Sequence, residues 1–352
     1  MKNRAIKFLA IFVFICVLFS CNHDNPDTGA ESESFLRAGF GRPVNEGVLF
    51  NSGFYGNWVF TGDKMYAYLF KNNEYGLYEV PLDTPFGEVG TEDNPWFITD
   101  NPKLILSEIC ANTLNYWNGY IYCGIEDSNG CHIIRIDSKT YKYDILYTLK
   151  YNIRDMRIRN GDIYFFDAHP LYPDFILWRL KIGESEPEPY LNCKDFDNSS
   201  FFSYILSTDY IFVWNTKWKD YYYEYKLYRV DKDKNIVCIS NAQNGYIVGE
   251  EIYFLEETTI KKMDFEGENI QIVIEFDWYG DYCVCDKYIF TVKAVDNDRS
   301  EMFIYTHDGG LAGKIHIRQH NNIVGIYPFD NFFIVCFEDN SWRSTSFKAY
   351  QY

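Results

Sequence analysis

Short apolar and aromatic segments recur through most of the chain, and they do not alternate with polar residues. The stretch NGYIYCGI at residues 118–125 is typical, because the turn dipeptide Asn118-Gly119 leads directly into four consecutive apolar residues. A strand with one face in water alternates apolar and polar side chains, whereas an unbroken apolar run of this length indicates a strand covered on both faces. The pattern therefore predicts strands that lie between two packing layers.

The apolar segments repeat at intervals, which makes an internal repeat the first feature to test. Successive segments lie about 40 to 55 residues apart. Their central residues are Met65, Ile121, Ile163, Ile211, Ile252, Ile289 and Phe332.

Each repeat has the same internal order of strands and turns. A first strand is followed by a tight turn, the apolar strand, a loop of variable length, a third strand such as HIIRI, a polar turn and a fourth strand. The turns at Asn118-Gly119 and Asn160-Gly161 favour two-residue hairpins. Four antiparallel strands per repeat of this length are typical of a β-propeller blade. We therefore predict an all-β chain with a single propeller, in which neighbouring blades cover both faces of each apolar strand.

The number of blades depends on how the ends of the chain are assigned, because the sequence shows seven sets of first, second and third strands but only six fourth strands. The segment VNEGVLFN at residues 44–51 is β-like, and we expect it to supply the missing strand. Such closure joins the ends of the ring and protects an exposed strand edge. The alternative is six blades with one weak set as a decoration or an extended blade. We favour seven four-stranded blades closed by the N-terminal strand.

The repeated strands of the form [NG]-x-I-[YF], followed by strands such as IIRID and LYRVD, carry a family resemblance. The chain resembles bacterial β-propeller domains named for the LDL-receptor-related protein 1, and it is similar to the YWTD and TolB-like propellers. The resemblance covers most of residues 44–352, although no copy reads YWTD. The bacterial family has no defined activity, so the resemblance implies a fold and no function.

The amino terminus has the features of an export signal. Lys2, Arg4 and Lys7 precede an apolar run of twelve residues, from Phe8 to Phe19. A membrane-spanning helix needs about 20 such residues, so the run is typical of a signal peptide. Residues 18–21, LFSC, resemble the lipobox of bacterial lipoproteins.

This resemblance implies that Cys21 is lipidated and becomes the first mature residue. The domains expected are a signal peptide at residues 1–20, a flexible tether at 21–43 and the propeller at 44–352. We expect a bacterial cell-envelope protein on the extracytoplasmic side, held to the membrane by its N-terminal lipid only. The alternative is an ordinary cleaved signal peptide with an incidental cysteine.

Composition narrows the classes of partner. The formal net charge is −17, which argues against nucleic acid or anionic lipid as the main partner, since both require a basic surface. Aromatic residues make up 19% of the chain, far more than a disordered protein carries. We expect a monomer without a cofactor whose partner is an extracytoplasmic glycan, a peptide or an envelope protein.

Eight of the ten cysteines lie outside the export signal, mostly within apolar segments where cysteine behaves as a small hydrophobic residue. Export permits disulfides. Cys123 and Cys131 flank a hairpin loop and are the pair best suited to form one. No group of cysteines and histidines has the spacing of a zinc site.

Aromatic loops are the first candidates for a ligand site. In a propeller, the loops between second and third strands and the loops between blades open on one face, which we call the loop face. Exposed rings there would stack on sugars or anchor a peptide. We favour the alternative that these rings pack on their own blade. The candidate residues are Trp214, Trp218, Tyr221, Tyr222, Tyr223, His169, Tyr172 and Trp342.

Other candidate chemistry in the sequence is weaker. His169 lies near Asp167 and Asp174, which could bind a metal or move a proton, but a solvated loop is the favoured interpretation. Acidic segments at 126–129 and 296–298 lack the glycine and the distal glutamate of an EF-hand loop. We therefore predict no metal site and no catalytic residue.

No nucleophile elbow, zinc-protease motif, phosphate loop or dinucleotide fingerprint is present. A polysaccharide-acting enzyme would need two carboxylates in the central pore, and Asp155 and Asp281 are nearest to it. The leading hypothesis is a binding module. An enzyme and a structural scaffold of an envelope complex are the alternatives.

Overall fold

The structure, a computed structural model, describes residues 58–61, 64–71, 74–80, 102–110, 113–168, 176–196, 201–219, 222–242, 245–278, 282–296, 299–318, 322–328, 332–338 and 345–351. Within these ranges no helix has the length and apolar character needed to cross a membrane. The predicted signal peptide, the lipidation site Cys21, the tether and the closing strand at 44–51 lie outside the described residues.

The first three blades are antiparallel four-stranded sheets whose strands follow one another in chain order. Blade 1 contains β1 (Trp58–Phe60), β2 (Met65–Lys71), β3 (Glu74–Val80) and β4 (Lys103–Ser107). Blade 2 contains β5 (Asn115–Trp117), β6 (Tyr120–Asp127), β7 (Gly130–Asp137) and β8 (Tyr143–Leu149). Blade 3 contains β9 (Asn152–Arg159), β10 (Asp162–Ala168), β11 (Ile176–Lys181) and β12 (Glu188–Asn192), and a short 3-10 helix, Cys193–Asp195, follows it.

Three further four-stranded blades and a three-stranded sheet complete the described fold. Blade 4 contains β13 (Phe201–Leu206), β14 (Ile211–Lys219), β15 (Tyr222–Val230) and β16 (Ile236–Ser240). Blade 5 contains β17 (Gly245–Val248), β18 (Glu251–Glu256), β19 (Thr259–Asp264) and β20 (Gln271–Glu275). Blade 6 contains β21 (Tyr282–Val284), β22 (Ile289–Asp296), β23 (Arg299–Tyr305) and β24 (Leu311–Arg318). The last sheet contains β25 (Asn322–Pro328), β26 (Phe332–Glu338) and β27 (Thr345–Gln351).

The architecture is a β-propeller, as the repeat predicts. Within the described ranges, each of the seven predicted sets of first, second and third strands corresponds to one sheet, and six of these sheets have a fourth strand. The predicted hairpin turns are also confirmed. Asn118 and Gly119 have φ values of 50° and 83°, and Asn160 and Gly161 have 52° and 88°. A type I′ turn requires positive φ at both central residues, which Asn and Gly adopt most readily.

The apolar run in β6 is buried on both faces because two different blades cover it. Ile121 and Cys123 pack into a cluster with Val59 and Tyr66 of blade 1. Tyr122, between them in sequence, packs into a second cluster with residues of blade 3. Since successive side chains of a strand point to opposite faces, a strand between two blades needs apolar residues at consecutive positions.

Contacts between consecutive blades repeat a common scheme. In blades 1, 4 and 5, the aromatic residue that follows the central residue of the apolar segment reaches the turn between the third and fourth strands of the next blade. Tyr66 donates a hydrogen bond to the Ser138 carbonyl at 3.3 Å. The rings of Phe212 and Phe265 lie 5.0 Å apart, and the Tyr253 hydroxyl lies 2.9 Å from Nδ1 of His307. These three contacts connect blade 1 to 2, blade 4 to 5 and blade 5 to 6.

Aspartates at the ends of third strands fix the turns that follow them. The Asp137 carboxylate accepts hydrogen bonds from the backbone N–H groups of Lys139 and Thr140 at 2.9 and 2.8 Å. Asp231 and Asp264 accept equivalent bonds in blades 4 and 5. A short carboxylate can satisfy the backbone of a turn in this way, which explains why the third strands end as IIRID and LYRVD do.

The predicted disulfide between Cys123 and Cys131 is wrong. Cys123 lies opposite Ile134 on β7, whereas Cys131 lies opposite Glu126 on β6. This register places the two cysteines on opposite faces of one sheet, Cys123 toward blade 1 and Cys131 toward blade 3. No disulfide joins any of the seven cysteines within the described part of the chain.

Candidate functional site

The hairpin of β14 and β15 has the longest strands in the described part of the chain. Each strand has nine residues, more than any other strand of the described chain. Pairing is continuous from Ile211 opposite Val230 to Lys219 opposite Tyr222. The aromatic segment at 215–225, predicted as a loop, is therefore mostly strand. Its Trp and Tyr residues have high strand propensity and carry the pairing past the length of the neighbouring blades.

Trp214 lies in the core rather than on a surface. Its side chain is 4% exposed and packs with Phe254 and other residues of blade 5. A Cβ atom added to Gly245 would lie only 2.4 Å from its Cζ2 atom, so the indole lies directly against the first strand of blade 5. The Trp214 ring is therefore buried, and it lies against the next blade rather than only on its own blade.

Trp218 and Tyr223 are paired in register near the end of the hairpin. The next and last pair is Lys219 with Tyr222. Trp218 thus lies four positions along β14 beyond the buried Trp214. We call Trp218, Tyr222 and Tyr223 the hairpin aromatics.

The remaining candidates for ligand binding lie outside the described residues. They are His169, Tyr172, Tyr221 and Trp342.

A buried ion pair lies on the innermost strand of blade 3. Asp155 Oδ1 is 3.0 Å from Arg157 Nη2, and the two side chains are 16% and 6% exposed. The Tyr204 hydroxyl, from the innermost strand of blade 4, donates to the Asp155 carbonyl at 2.8 Å, and the Arg157 guanidinium lies over the Tyr204 ring. Burial raises the pKa of the Asp155 carboxyl, and the charge of Arg157 opposes that effect. Asp281, the second predicted pore carboxylate, lies outside the described residues.

The acidic hairpin turn of blade 2 uses its polar groups internally. His132 Nε2 lies 3.0 Å from Asp127 Oδ1, and His132 Nδ1 lies 2.9 Å from the Thr148 hydroxyl. Asp127 Oδ1 also accepts a hydrogen bond from the Asn129 backbone at 2.6 Å. No group of three or more His, Cys, Asp or Glu side chains is arranged to hold a metal ion in the ranges described.

Trp278 is a loop-face aromatic residue that was not among the candidates from the sequence. Trp278 lies on the connection from blade 5 to blade 6 and is half-buried. The Lys293 ammonium lies 4.4 Å from the centre of the Trp278 ring, and the Phe303 ring lies 5.2 Å from it. The segment FDWYG precedes a short first strand, and nothing in its sequence separates it from an ordinary connection between blades.

Comparison with known proteins supports the fold. No protein-family model and no curated protein matches the sequence. The β-propeller domain of the Trilobed protease from Pyrococcus furiosus matches with a TM-score of 0.56 at 14% identity, over 86% of this chain and 95% of that domain. Oligogalacturonate lyase from Vibrio parahaemolyticus matches with a TM-score of 0.55 at 8% identity, over 87% of this chain and 90% of the lyase.

A prolyl endopeptidase matches with a TM-score of 0.55 at 14% identity, over 90% of this chain and 48% of the enzyme. The chain therefore spans about half the length of that enzyme. TolB from Acinetobacter baumannii matches with a TM-score of 0.42 at 12% identity, over 70% of this chain and 60% of TolB. At these identities the comparisons establish the propeller fold alone.

Proposed function

We propose that this protein is an exported propeller that binds an extracytoplasmic ligand through its loop face. The observation that carries the proposal is the extended β14–β15 hairpin, whose register places Trp218 opposite Tyr223 beyond the buried Trp214. The other described blades have shorter second and third strands, so the hairpin provides a distinct local surface on an otherwise regular ring.

The chemistry of the hairpin aromatics favours a carbohydrate as the ligand. Indole and phenol rings offer apolar faces to the C–H groups of a sugar, and their N–H and O–H groups serve its hydroxyls. Sugar binding needs no cofactor and no basic surface, in keeping with the net charge of −17. A peptide or an envelope protein anchored by the same rings is the alternative ligand.

The proposed location follows from the amino terminus. A basic n-region, a twelve-residue apolar run and the lipobox-like LFSC support export with lipidation at Cys21. The polar segment after Cys21 would hold a monomeric propeller away from the membrane, so that the loop face is free to meet its ligand.

The direct test is binding of the chain from Asn22 onward to an array of glycans and cell-wall fragments. Saturable binding to a carbohydrate supports the proposal. A blank array contradicts the carbohydrate version and favours a protein ligand, which crosslinking in intact cells would then identify.

A second candidate is an enzyme that acts on polysaccharide, and Asp155 is the observation that favours it. A carboxyl on an innermost strand with a raised pKa has the character of a general acid. Its ion pair with Arg157 opposes that role, because the guanidinium stabilises the ionised carboxylate, which has no proton to donate. Turnover of a bound glycan by the wild-type chain that is lost in Asp155→Asn would support the enzyme over the binding module.

A scaffold in an envelope complex is the third candidate. It would require a broad apolar surface. The exposed large apolar residues of the described ranges are instead spread over several blades, with Leu104, Ile145, Val237 and Ile272 each on a different outer strand. Scattered exposed residues of this kind are normal on a protein surface.

A further inference from the structure

Two cysteines from separate segments lie side by side at the loop face. Cys110 belongs to the connection from blade 1 to blade 2, and Cys131 lies near the start of β7. Their Sγ atoms are 3.5 Å apart. A disulfide has an S–S distance of about 2.0 Å, so bonding requires the two sulfur atoms to approach by about 1.5 Å.

Three hydrogen bonds hold the Cys110 backbone against Gly124, and two of them involve the buried Thr113 hydroxyl. The Cys110 backbone N–H donates to the Gly124 carbonyl at 2.8 Å. The Thr113 hydroxyl donates to the Cys110 carbonyl at 2.7 Å and accepts from the Gly124 N–H at 3.0 Å. Thr113 is fully buried, so these bonds are shielded from water.

Gly124 provides the room for the Cys110 side chain. A Cβ atom added at Gly124 would lie 3.2 Å from Cys110 Cβ and 3.3 Å from its Sγ. Glycine in the interior of a strand usually marks a close approach of another group. Here that group is Cys110, whose side chain crosses β6 toward the blade 3 side of the sheet, where Cys131 lies.

The two sulfur atoms differ in access to solvent. Cys110 is half-buried, whereas Cys131 is 2% exposed. Asn152 Oδ1 lies 3.4 Å from Cys110 Sγ and 3.8 Å from Cys131 Sγ, so both thiols share one polar neighbour. A reagent from solution would therefore reach Cys110 first.

We propose that Cys110 and Cys131 form a disulfide when the protein meets a disulfide donor, and that this bond fastens the connection between blades 1 and 2 to β7. The supply of a donor rests on the proposed export, because disulfides form outside the cytoplasm. The pairing itself rests on the positions of the two sulfur atoms and of Gly124.

The reaction is two successive thiol–disulfide exchanges. The Cys110 thiolate attacks one sulfur of a small or protein disulfide, which forms a mixed disulfide and releases one donor thiolate. The Cys131 thiolate then attacks the Cys110 sulfur and releases the second donor thiolate. The two cysteines lose two electrons and two protons, and the donor disulfide gains them as two thiols. The contact with Cys131 and burial both raise the pKa of the Cys110 thiol, so the exchange is expected to be faster in alkaline buffer.

The experiment treats the purified, folded full chain with oxidised glutathione and maps its cysteines by mass spectrometry without reduction. The expected result is a peptide pair joined through Cys110 and Cys131, lighter by two hydrogen atoms, with both cysteines protected from iodoacetamide. Cys123→Ser is the matched control, because Cys123 lies on the other face of the sheet and its loss should leave the link intact. A wild-type chain in which both cysteines stay alkylatable, or in which Cys110 links to another cysteine, would overturn the pairing.

A second measurement separates the pairing from the proposed location. Thiols are blocked in intact cells before lysis, and the same peptides are mapped. A link in both experiments supports both proposals. A link with oxidised glutathione but reduced cysteines in cells leaves the pairing supported and counts against export to an oxidising compartment.

Discussion

The Tyr253 hydroxyl lies 2.9 Å from Nδ1 of His307, and this contact joins blade 5 to blade 6. His307 Nε2 lies 2.8 Å from the Cys285 carbonyl, which can only accept, so Nε2 carries a proton. Tyr253 donates its single proton to Glu251 Oε2 at 3.0 Å. Tyr253 and His307 therefore connect Glu251 of blade 5 to the Cys285 backbone of blade 6.

Replacing Tyr253 by Phe tests this contact. The ring remains while both hydrogen bonds of the hydroxyl are lost, so we expect the free energy of unfolding to fall by about 1–2 kcal/mol. Urea denaturation measures it. Tyr143→Phe is the control, since that ring is 46% exposed on the outer strand of blade 2. Equal stability of the two variants would show that the Tyr253 contact contributes nothing.

Gly245 lies at the interface between blades 4 and 5, where there is no room for a side chain. A Cβ atom there would lie 2.4 Å from Cζ2 of the buried Trp214. We expect Gly245→Ala to destabilise the protein by about 1–3 kcal/mol through overpacking. Gly313→Ala should change stability by less than about 0.5 kcal/mol, because the nearest atom to its added Cβ is 3.8 Å away. Thermal unfolding of the pair checks the contrast, and a harmless Gly245→Ala would contradict the packing described.

The turn aspartates predict how stability depends on acid. Hydrogen bonds within each turn lower the pKa of its aspartate below 3.8. The main donors are the Thr140 backbone for Asp137, Asn235 for Asp231 and the Glu268 backbone for Asp264. A lowered pKa in the folded state gives stability that is present above the unfolded value and is lost as pH falls through the folded value. Stability should therefore decrease as pH falls below about 4.

The variant with Asp137→Asn, Asp231→Asn and Asp264→Asn keeps an acceptor oxygen in each turn but cannot titrate. Its unfolding midpoint should vary less with pH between about 4 and 2 than that of the wild type. Parallel curves for the two proteins would show that these carboxylates do not carry the acid sensitivity.

The fold was predictable because its signals are local and repeated. Consecutive apolar residues such as Ile121, Tyr122 and Cys123 already indicate a strand covered on both faces, and Asn118-Gly119 indicates the turn before it. The third-strand aspartates were visible as part of the repeat, although their role in the turns was not.

Contacts between segments that are distant in sequence could not be predicted from such local patterns. The pairing of Cys123 with Cys131 fails because proximity in sequence does not show which face of a sheet a residue occupies. Cys110 lies next to Cys131 through a connection whose path depends on Gly124. Similarly, the burial of Trp214 depends on the position of blade 5, which packs against its ring.

The most direct test of the proposed ligand site is a calorimetric comparison of wild type, Trp218→Ala and Tyr143→Ala. The ligand is the carbohydrate that binds most tightly on the array. Tyr143→Ala removes an exposed ring far along the chain from the hairpin. We expect Trp218→Ala to weaken binding by at least about 10-fold through loss of an aromatic anchor, and Tyr143→Ala to bind as the wild type does. Unchanged affinity in Trp218→Ala would contradict the proposal that the β14–β15 hairpin forms the ligand site.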